Sequence, residues 1–444
     1  MESYAQRSAR LAAEVKTARE PVLGLGKDTS NLFRDRQARA KRRLQVGAFD
    51  HVLGVDAGAG WVDAEGMVPY DALVDAALAQ GVMPAVVPQL KSITLGGAAA
   101  GVGIEATSFR FGLVHDTLVE IEVLTGTGDL VRATAENEYA DLFHAFPNSY
   151  GTLGYALRLK ARAVPVRRYV QVTHHRFGSA RALFAALPAL AASGIDFLDG
   201  VVFAADELYL SAGRFVDEAP WVSDYTFERI YYRSIRMRET DYLSAAGYLW
   251  RWDTDWFWCS RNLGAQNPLL RRLLGRRRLN SRFYTRVMRW NSRIGLTRCA
   301  DRLSGRHRES VIQDVDLPLE AAADFLAFFL REIGILPVWI CPFRTPAAHA
   351  RCTLYPVEPD RWYVNFGFWD MVRRREPQPP GHFNRMLEAE VMRLGGIKSL
   401  YSDSYFAEDA FWRAYGGDAY RALKKRYDPD SRLGDLYAKC VLGH

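Results

Sequence analysis

The chain has 444 residues, 49% apolar and 25% charged, which is apolar enough to fold and long enough for two or three compact units. Its five cysteines, Cys259, Cys299, Cys341, Cys352 and Cys440, are scattered and never form a CxxC pair, which excludes a disulfide scaffold and a structural zinc and fits a reducing compartment. The net charge of +7 is unevenly spread: between Arg251 and Glu309 stand 15 Arg against four acidic residues, so the rest of the chain is net −4.

In chain order, Met1–Glu20 places Leu11, Ala12 and Val15 at helical spacing among charges and lacks the apolar run of a signal peptide, so it predicts an amphipathic helix. His51–Val55 and Gly60–Ala64 predict strands, Tyr70–Gln80 a helix and Met83–Val87 another strand. A loop is expected over Leu95–Gly103, then a hairpin of Asp116–Leu124 and Asp129–Ala133 across Gly126-Thr127-Gly128. Helix Asp141–Ala145 leads to a turn at Tyr150–Gly154 and a strand ending near Val164, with a domain boundary at Pro165. Beyond it come a strand at Tyr169–Thr173, a helix over Ala180–Ala192, strands Phe197–Ala204 and Leu208–Phe215, a helix from Leu319 to Ile333, and strands Pro337–Cys341 and Trp362–Gly367. Leu400–Gly443 returns to short helices. Charges at Asp324, Arg331 and Glu332 break the most apolar stretch, Ala321–Pro342, so no segment reaches the ~18 apolar residues that cross a bilayer.

The arginine-rich segment is aromatic as well. Trp252, Trp256, Phe257, Trp258, Phe283, Tyr284 and Trp290 sit among the arginines, and Leu269, Leu270, Leu273 and Leu274 recur at helical spacing. That composition suits an interfacial helix on anionic lipid headgroups, with Trp256, Trp258, Arg276, Arg277, Arg278 and Trp290 as lipid-facing residues. A solvated surface over an aromatic core has the same composition, and a single-stranded nucleic-acid stripe is a third reading that is not expected here.

Gly96-Gly97-Ala98-Ala99-Ala100-Gly101-Val102-Gly103 has no bulky side chain, so its backbone N–H groups could approach a pyrophosphate. It is neither a P-loop nor a GxGxxG fingerprint. The order Pro88-Gln89-Leu90, Thr94-Leu95-Gly96-Gly97, Phe111-Gly112, Asp116, Val123-Leu124, Gly128-Asp129-Leu130-Val131, Asp141-Leu142-Phe143 and Gly151-Thr152-Leu153-Gly154 resembles the FAD-binding domain of the vanillyl-alcohol oxidase and p-cresol methylhydroxylase superfamily. The resemblance implies an α+β fold in which a two-subdomain FAD-binding domain (1–165) precedes an α+β substrate or cap domain (166–395). A basic aromatic helical insertion (249–310) interrupts the cap, and a C-terminal helical segment (396–444) returns to the flavin. It further implies FAD contacts from Lys27, Thr29, Ser30 and Asn31, from Gly96, Gly97, Gly101, Gly103, Ile104 and Ser108, and from Gly151 and Gly154. No His or Cys stands in these loops where many relatives attach the flavin covalently, so the FAD is expected to be noncovalent.

Val102-Gly103-Ile104-Glu105-Ala106-Thr107-Ser108, Trp339-Ile340-Cys341-Pro342-Phe343 and Leu400-Tyr401-Ser402-Asp403-Ser404-Tyr405 with Phe411-Trp412 are similar to the 24-dehydrocholesterol reductase branch of that superfamily. That branch implies reduction of an isolated C=C bond in a lipid with NADPH as electron donor. Eukaryotic members carry an N-terminal membrane anchor, whereas this sequence begins with the amphipathic stretch. The expectation is therefore the bacterial relatives that reduce a methylene-branched fatty acyl chain of a phospholipid, downstream of a lipid methyltransferase, in the cytoplasm at the inner face of the membrane. The alternatives are a Δ24-sterol reductase, an FAD-dependent alcohol or lactone oxidase or dehydrogenase, and a non-enzymatic membrane- or nucleic-acid-binding protein.

An isolated alkene has no carbonyl to accept charge, so hydride addition needs a proton source, a dry pocket and aromatic faces that tolerate cation character at carbon. Glu105, placed where many superfamily members carry a His near the flavin, is the first expected donor, because an apolar pocket raises a carboxyl pKa. Tyr401 and Tyr405 are the second, with Lys398 and Asp403 to orient them. Each also has a purely structural reading, as a loop hydrogen bond or a core tyrosine. No metal constellation is expected; His174-His175 lacks partners.

Overall fold

The structure, a computed structural model, describes residues 2–18, 23–27, 42–294, 307–347 and 352–443. The first helix, Tyr4–Thr17, starts in a capping box in which Ser3 Oγ accepts from the Gln6 N–H and the Gln6 side chain accepts from the Ser3 N–H. Its apolar stripe, Leu11, Ala12 and Val15, packs on Phe49, Leu124, Tyr155 and Leu157. Strands β1 (Leu23–Gly26) and β2 (Arg42–Gln45) pair in parallel.

An antiparallel sheet follows. It consists of β3 (Val52–Asp56), β4 (Trp61–Glu65), β5 (Val82–Pro84), β6 (Leu118–Leu124), β7 (Leu130–Ala133) and β8 (Tyr155–Pro165). The order is β3-β4-β8-β6-β7, with β5 also on β8. Helix Tyr70–Leu78 buries Tyr70, Leu73, Val74 and Ala77 in its core.

Between Pro165 and Tyr169 the chain passes to a second antiparallel sheet. Its strands are β9 (Tyr169–Phe177), β10 (Phe197–Ala204), β11 (Glu207–Val216), β12 (Thr240–Ser244), β13 (His307–Pro318), β14 (Val338–Phe343), β15 (Tyr363–Arg374) and β16 (Ile397–Lys398), in the order β12-β9-β11-β10-β14-β15-β13-β16. Period-two alternation gives this sheet two unlike faces. Leu198, Val202, Val315, Leu317, Val338, Ile340, Val364 and Phe366 meet helices Ala180–Ala191, Ala322–Glu332 and His382–Arg393 in one core. The alternate positions on these strands, among them Asp199, Trp339, Asp314, Asp316, Asn365, Gly367 and Trp369, fall on the other face. A sheet buried on both sides that keeps three acids on one of them has a polar task there.

Three elements differ from the sequence expectation. Leu95–Gly103 is not an open loop: Leu95–Ala100 is a helix, capped by Thr94 Oγ1 accepting from the Gly97 N–H at 3.2 Å. Strands β12 and β13, which the sequence did not indicate, flank a segment of helices, Ala245–Leu249, Pro268–Leu274 and Ser281–Ile294. Much of the aromatic composition of that segment is core. Trp258 is 0% and Trp256 7% exposed, so neither faces lipid, and Arg271 is buried in a two-point ion pair with Asp255 at 2.6 and 2.8 Å. The apolar environment and the buried carboxylate made these side chains interior ones, which composition alone does not distinguish from a membrane face.

The C-terminal helices Glu408–Ala414, Gly417–Tyr427 and Leu436–Cys440 lie on the first domain, where Lys424 donates to the Thr152 carbonyl at 2.7 Å and Tyr427 to Asp141 at 2.7 Å.

Candidate active site

The site lies where the acid-bearing face of the second sheet meets the loops of the first domain. The joint is tied by backbone and side-chain bonds: Leu198 N–H to the Ala106 carbonyl at 2.7 Å, and Asn148 Nδ2 to the Leu354 carbonyl at 2.7 Å.

Its aromatic part is an enclosure built from three strands or loops. Phe257 is the hub: its ring centroid lies 5.0 Å from Trp252, 5.9 Å from Trp258, 5.4 Å from Trp339 and 4.3 Å from Trp369. Trp256 and Phe257 both hold left-handed backbone, φ 46° and 59°. Such strain costs of order 1–3 kcal/mol per residue and persists where packing over-determines it. Polar groups fix the rings. Asp199 accepts from the indole N–H of Trp252 and of Trp339, each at 3.2 Å, and Trp369 donates to the Tyr401 hydroxyl at 2.8 Å.

Two acidic groups adjoin the enclosure. In the first, buried Arg251 bridges Glu105 at 2.8 Å and Asp199 at 2.7 Å, and its guanidinium lies 4.0 Å from the centroid of the Tyr248 ring. Burial pushes the Glu105 carboxyl up to about 7 against the pull of Arg251. Glu105 Oε2 has no hydrogen-bond partner among the described residues. In the second, Asp314 and Asp316 project two residues apart from β13. Asp316 accepts from Tyr355 at 2.6 Å and Asn365 at 2.7 Å, while Asp314 sits opposite Gly367 and is hydrogen-bonded by Tyr401. Burial and the Asp316 charge push Asp314 up to about 8; burial raises Asp316 to about 6.

The loop carrying Tyr401 is clamped by a buried ion pair. Lys398 donates to Glu388 at 2.8 Å, to Ser404 Oγ at 3.0 Å and to the Asp403 carbonyl, and Glu388 accepts from the Tyr405 N–H. Tyr401 therefore joins the site. Tyr405 is placed otherwise: its ring lies against Gly381 and under the Arg385 guanidinium at 5.2 Å, which gives it a packing position.

Several buried polar groups are left unpaired by the protein itself. Gln89 Nε2, Thr107 Oγ1, Asn148 Oδ1, Ser149 Oγ, Ser399 Oγ and Ser402 Oγ are buried without a partner among the described residues. They stand on the loops that converge at the domain joint, and Val102, Asn148 and Tyr150 there hold left-handed backbone, φ 50°, 60° and 48°. A row of buried, unpaired donors and acceptors on strained loops is what an extended polar ligand requires, and FAD fits it.

The glycine run contributes differently from the sequence expectation. The Gly96, Gly97 and Gly103 N–H groups are bound to the Gly66 carbonyl, Thr94 Oγ1 and the Ala98 carbonyl, so they do not cradle a pyrophosphate. These glycines serve close packing: a Cβ on Gly96 would lie 2.7 Å from the Gly66 carbonyl oxygen, and one on Gly101 2.9 Å from the Gly97 carbonyl oxygen. Ser108 Oγ accepts from the Glu105 N–H at 3.1 Å and so shapes that loop. Ile104 is half-buried beside it, and Gly151 and Gly154 form the turn before β8, both at positive φ. Lys27 closes β1; Thr29, Ser30 and Asn31 lie outside the described residues. Among the described residues, one group, Asp50, His51 and Glu65, brings metal-type ligand atoms within 4.8 Å, with Arg7 already paired to Glu65.

Sequence reasoning missed Arg251, Asp199, Asp314 and Asp316. The signal for the last two was present as Asp314-Val315-Asp316-Leu317, an acid-apolar alternation that puts carboxylates on one face of a strand and a core on the other.

The family described as FAD binding domain matches residues 4–134. The chain is similar to the Delta(24)-sterol reductase of Arabidopsis thaliana, 24% identical over 97% of this chain and 81% of the relative. It is similar also to the Delta(24)-sterol reductase of Homo sapiens, 25% identical over 90% and 78%. Over 31% of the chain, and 25% of the relative, it is 32% identical to Cytokinin dehydrogenase 7 of Oryza sativa subsp. japonica.

Proposed function

We propose that this chain, which belongs to the FAD-binding oxidase superfamily in its 24-dehydrocholesterol reductase-like branch, reduces the double bond of a methylene-branched fatty acyl chain in a phospholipid, with NADPH as electron donor. FAD-dependent reduction of a lipid C=C bond is the activity its sterol reductase relatives support. The observation that carries the reading is the aromatic enclosure of Trp252, Phe257, Trp258, Trp339 and Trp369 with buried acids at its edge. The packed rings exclude water, and half-buried Trp369 at their edge would offer its π face to a carbon that gains positive character during protonation.

FAD, when bound, supplies the hydride. Gln89, Thr107, Asn148, Ser149, Ser399 and Ser402 are the side chains here that would hold it. Asp199 keeps Trp252 and Trp339 in place, and a neutral carboxyl supplies the proton; Glu105 and Asp314 both qualify by position. A methylene-branched chain is the product of methyl transfer to an unsaturated one, so a lipid methyltransferase acting upstream belongs to the same reading.

The phospholipid assignment is supported by the surface. Leu269 and Leu273, one turn apart, are 76% and 78% exposed and Trp290 57%, among exposed Arg272, Arg276, Arg277, Arg278, Arg282 and Arg286. Exposed apolar side chains ringed by arginine match an anionic bilayer surface, and we place the protein there peripherally, at the cytoplasmic face. A Δ24 sterol is the second reading, favoured by the relatives' own activity.

The test is anaerobic incubation with NADPH and either a methylene-branched phospholipid or a Δ24 sterol, read by product mass. A gain of two hydrogens on the phospholipid supports the proposal, and a gain on the sterol alone replaces the substrate. Rapid reoxidation of the flavin by air, with no reduction by NADPH, refutes the reductase and supports an oxidase.

A further inference from the structure

Glu105 and Asp314 differ in what faces them. Glu105 Oε1 accepts from Arg251, a permanent cation at 2.8 Å, which stabilises the ionised form. Among the described residues no ion pair includes Asp314. The groups that face it are Tyr401 from the loop after β16, Gly367 and Trp369 from β15, and Asp316 on its own strand, itself held by Tyr355 and Asn365. Gly367 makes the room: a Cβ there would lie 2.7 Å from Asp314 Oδ1 and 2.6 Å from the Trp369 ring.

The hydrogen-bond directions are set by chemistry. The Trp369 indole can only donate, so at 2.8 Å the Tyr401 oxygen is its acceptor, and the phenolic hydrogen is left for Asp314 or for a substrate. Tyr401, Asp314 and Trp369 are each half-buried. Tyr401 also lies near Tyr150, on the turn of the first domain.

We propose that the proton completing reduction of the lipid double bond reaches the substrate carbon from the Tyr401 hydroxyl and is replaced from the Asp314 carboxyl, with Trp369 holding the phenol in line. This rests on the lipid-reductase reading. Reduced FAD, when bound, would supply the hydride, and with it the electron pair, for one alkene carbon. At the other carbon the π bond breaks, a C–H bond forms and the Tyr401 O–H breaks. The Asp314 O–H proton passes to the phenolate oxygen, and the carboxylate left behind regains a proton from solvent before the next turnover. The elevated affinity of Asp314 for its proton, about 8 on the pH scale through burial and Asp316, agrees with a carboxyl that enters each cycle neutral.

The experiment compares holoenzyme of wild type, Asp314→Asn, Tyr401→Phe and Glu105→Gln by infrared spectroscopy and by single-turnover kinetics. The expected infrared result at pH 7 is a protonated-carboxyl carbonyl band that is present in Glu105→Gln, is lost when Asp314→Asn is added to that variant, and titrates away in Glu105→Gln as pH rises through about 8. Absence of that band in Glu105→Gln, or its persistence in the Glu105→Gln, Asp314→Asn double variant, overturns the proposal. The expected kinetic result is a loss of about 100-fold or more in lipid reduction for Asp314→Asn and Tyr401→Phe, with flavin content and reduction by NADPH unchanged. The fall in wild-type rate above pH 8 should be flattened in Asp314→Asn. A loss under threefold in both variants overturns it. Should Asp314→Asn not fold, Tyr401→Phe decides by its single-turnover kinetics, and the titration of the carboxyl band in Glu105→Gln decides the protonation of Asp314. A wild-type enzyme that reduces no lipid alkene refutes the functional reading itself and takes this assignment with it, whereas normal wild-type turnover with unaffected variants refutes the assignment alone.

Discussion

Replacing Arg251 by Met removes the cation between two buried carboxylates while keeping most of the apolar stem. The structure assigns it two charge-assisted hydrogen bonds, at 2.8 Å to Glu105 and 2.7 Å to Asp199, and a cation–π contact at 4.0 Å to Tyr248. Each bond to a buried charge is worth about 1.5–3 kcal/mol, which agrees with the about 3–5 kcal/mol lost when one member of a buried pair is deleted. The loss depends on pH. Burial raises the Glu105 carboxyl and Arg251 opposes that rise, so without Arg251 its folded-state pKa lies further above the unfolded value, the folded variant binds more protons than the unfolded chain, and stability falls as pH rises. Glu105 already reaches about 7 with Arg251 present, so at pH 5.5 it is protonated and needs no cation. The expected penalty is about 4 kcal/mol at pH 8 and about half that at pH 5.5. Denaturant unfolding followed by indole fluorescence, to which the buried Trp252 and Trp339 contribute, measures both. A penalty below about 1 kcal/mol at pH 8, or one equal at the two pH values, would show that the bridge does not carry the charge balance ascribed to it.

Glu105→Gln keeps an acceptor for Arg251 and matches the neutral carboxyl in shape, so FAD content should be unchanged and turnover should drop less than about tenfold; a drop of about 100-fold would return the donor role to Glu105. Gly367→Ala should displace both the Trp369 ring and the Asp314 carboxylate, lowering lipid turnover while the flavin visible spectrum stays intact; unchanged turnover would mean that neither group is positioned for chemistry. Lys398→Met leaves the buried Glu388 without its cation, held only by the Tyr405 N–H, and should lower stability by about 3–5 kcal/mol, read as a fall in urea midpoint, with an accompanying loss of the Tyr401 loop geometry. Reversing charge at Arg276, Arg277 and Arg278, or introducing Glu at Leu269 and Leu273, should weaken cosedimentation with anionic vesicles and leave flavin content intact; unchanged sedimentation refutes the membrane face.

Much of the scaffold was legible along the chain because it depends on local periodicity. The Tyr4–Thr17 helix follows from Leu11, Ala12 and Val15 at helical spacing, the β6–β7 hairpin from Gly126-Thr127-Gly128, and the long helix before β14 from Phe325 and Phe329. The glycine run shows where such reading stops. A segment of small residues is equally compatible with a ligand loop and with a tightly packed helix, and only the approach of the Gly66 carbonyl to Gly96 decides between them.

The candidate site was less legible for the same physical reason. Sequence determined that a carboxylate follows Ile104, that a tyrosine follows Leu400, and that tryptophan is dense between Trp250 and Trp258. Whether Trp258 meets lipid or Trp369, whether Glu105 is free or held by Arg251, and whether Asp314 is a surface acid or a buried one depends on partners 146 residues away for Glu105 and 87 for Tyr401. Burial and charge pairing are properties of the neighbourhood that folding assembles, and they set which acid keeps its proton. Tertiary structure alone brought Asp314, Trp369 and Tyr401 together.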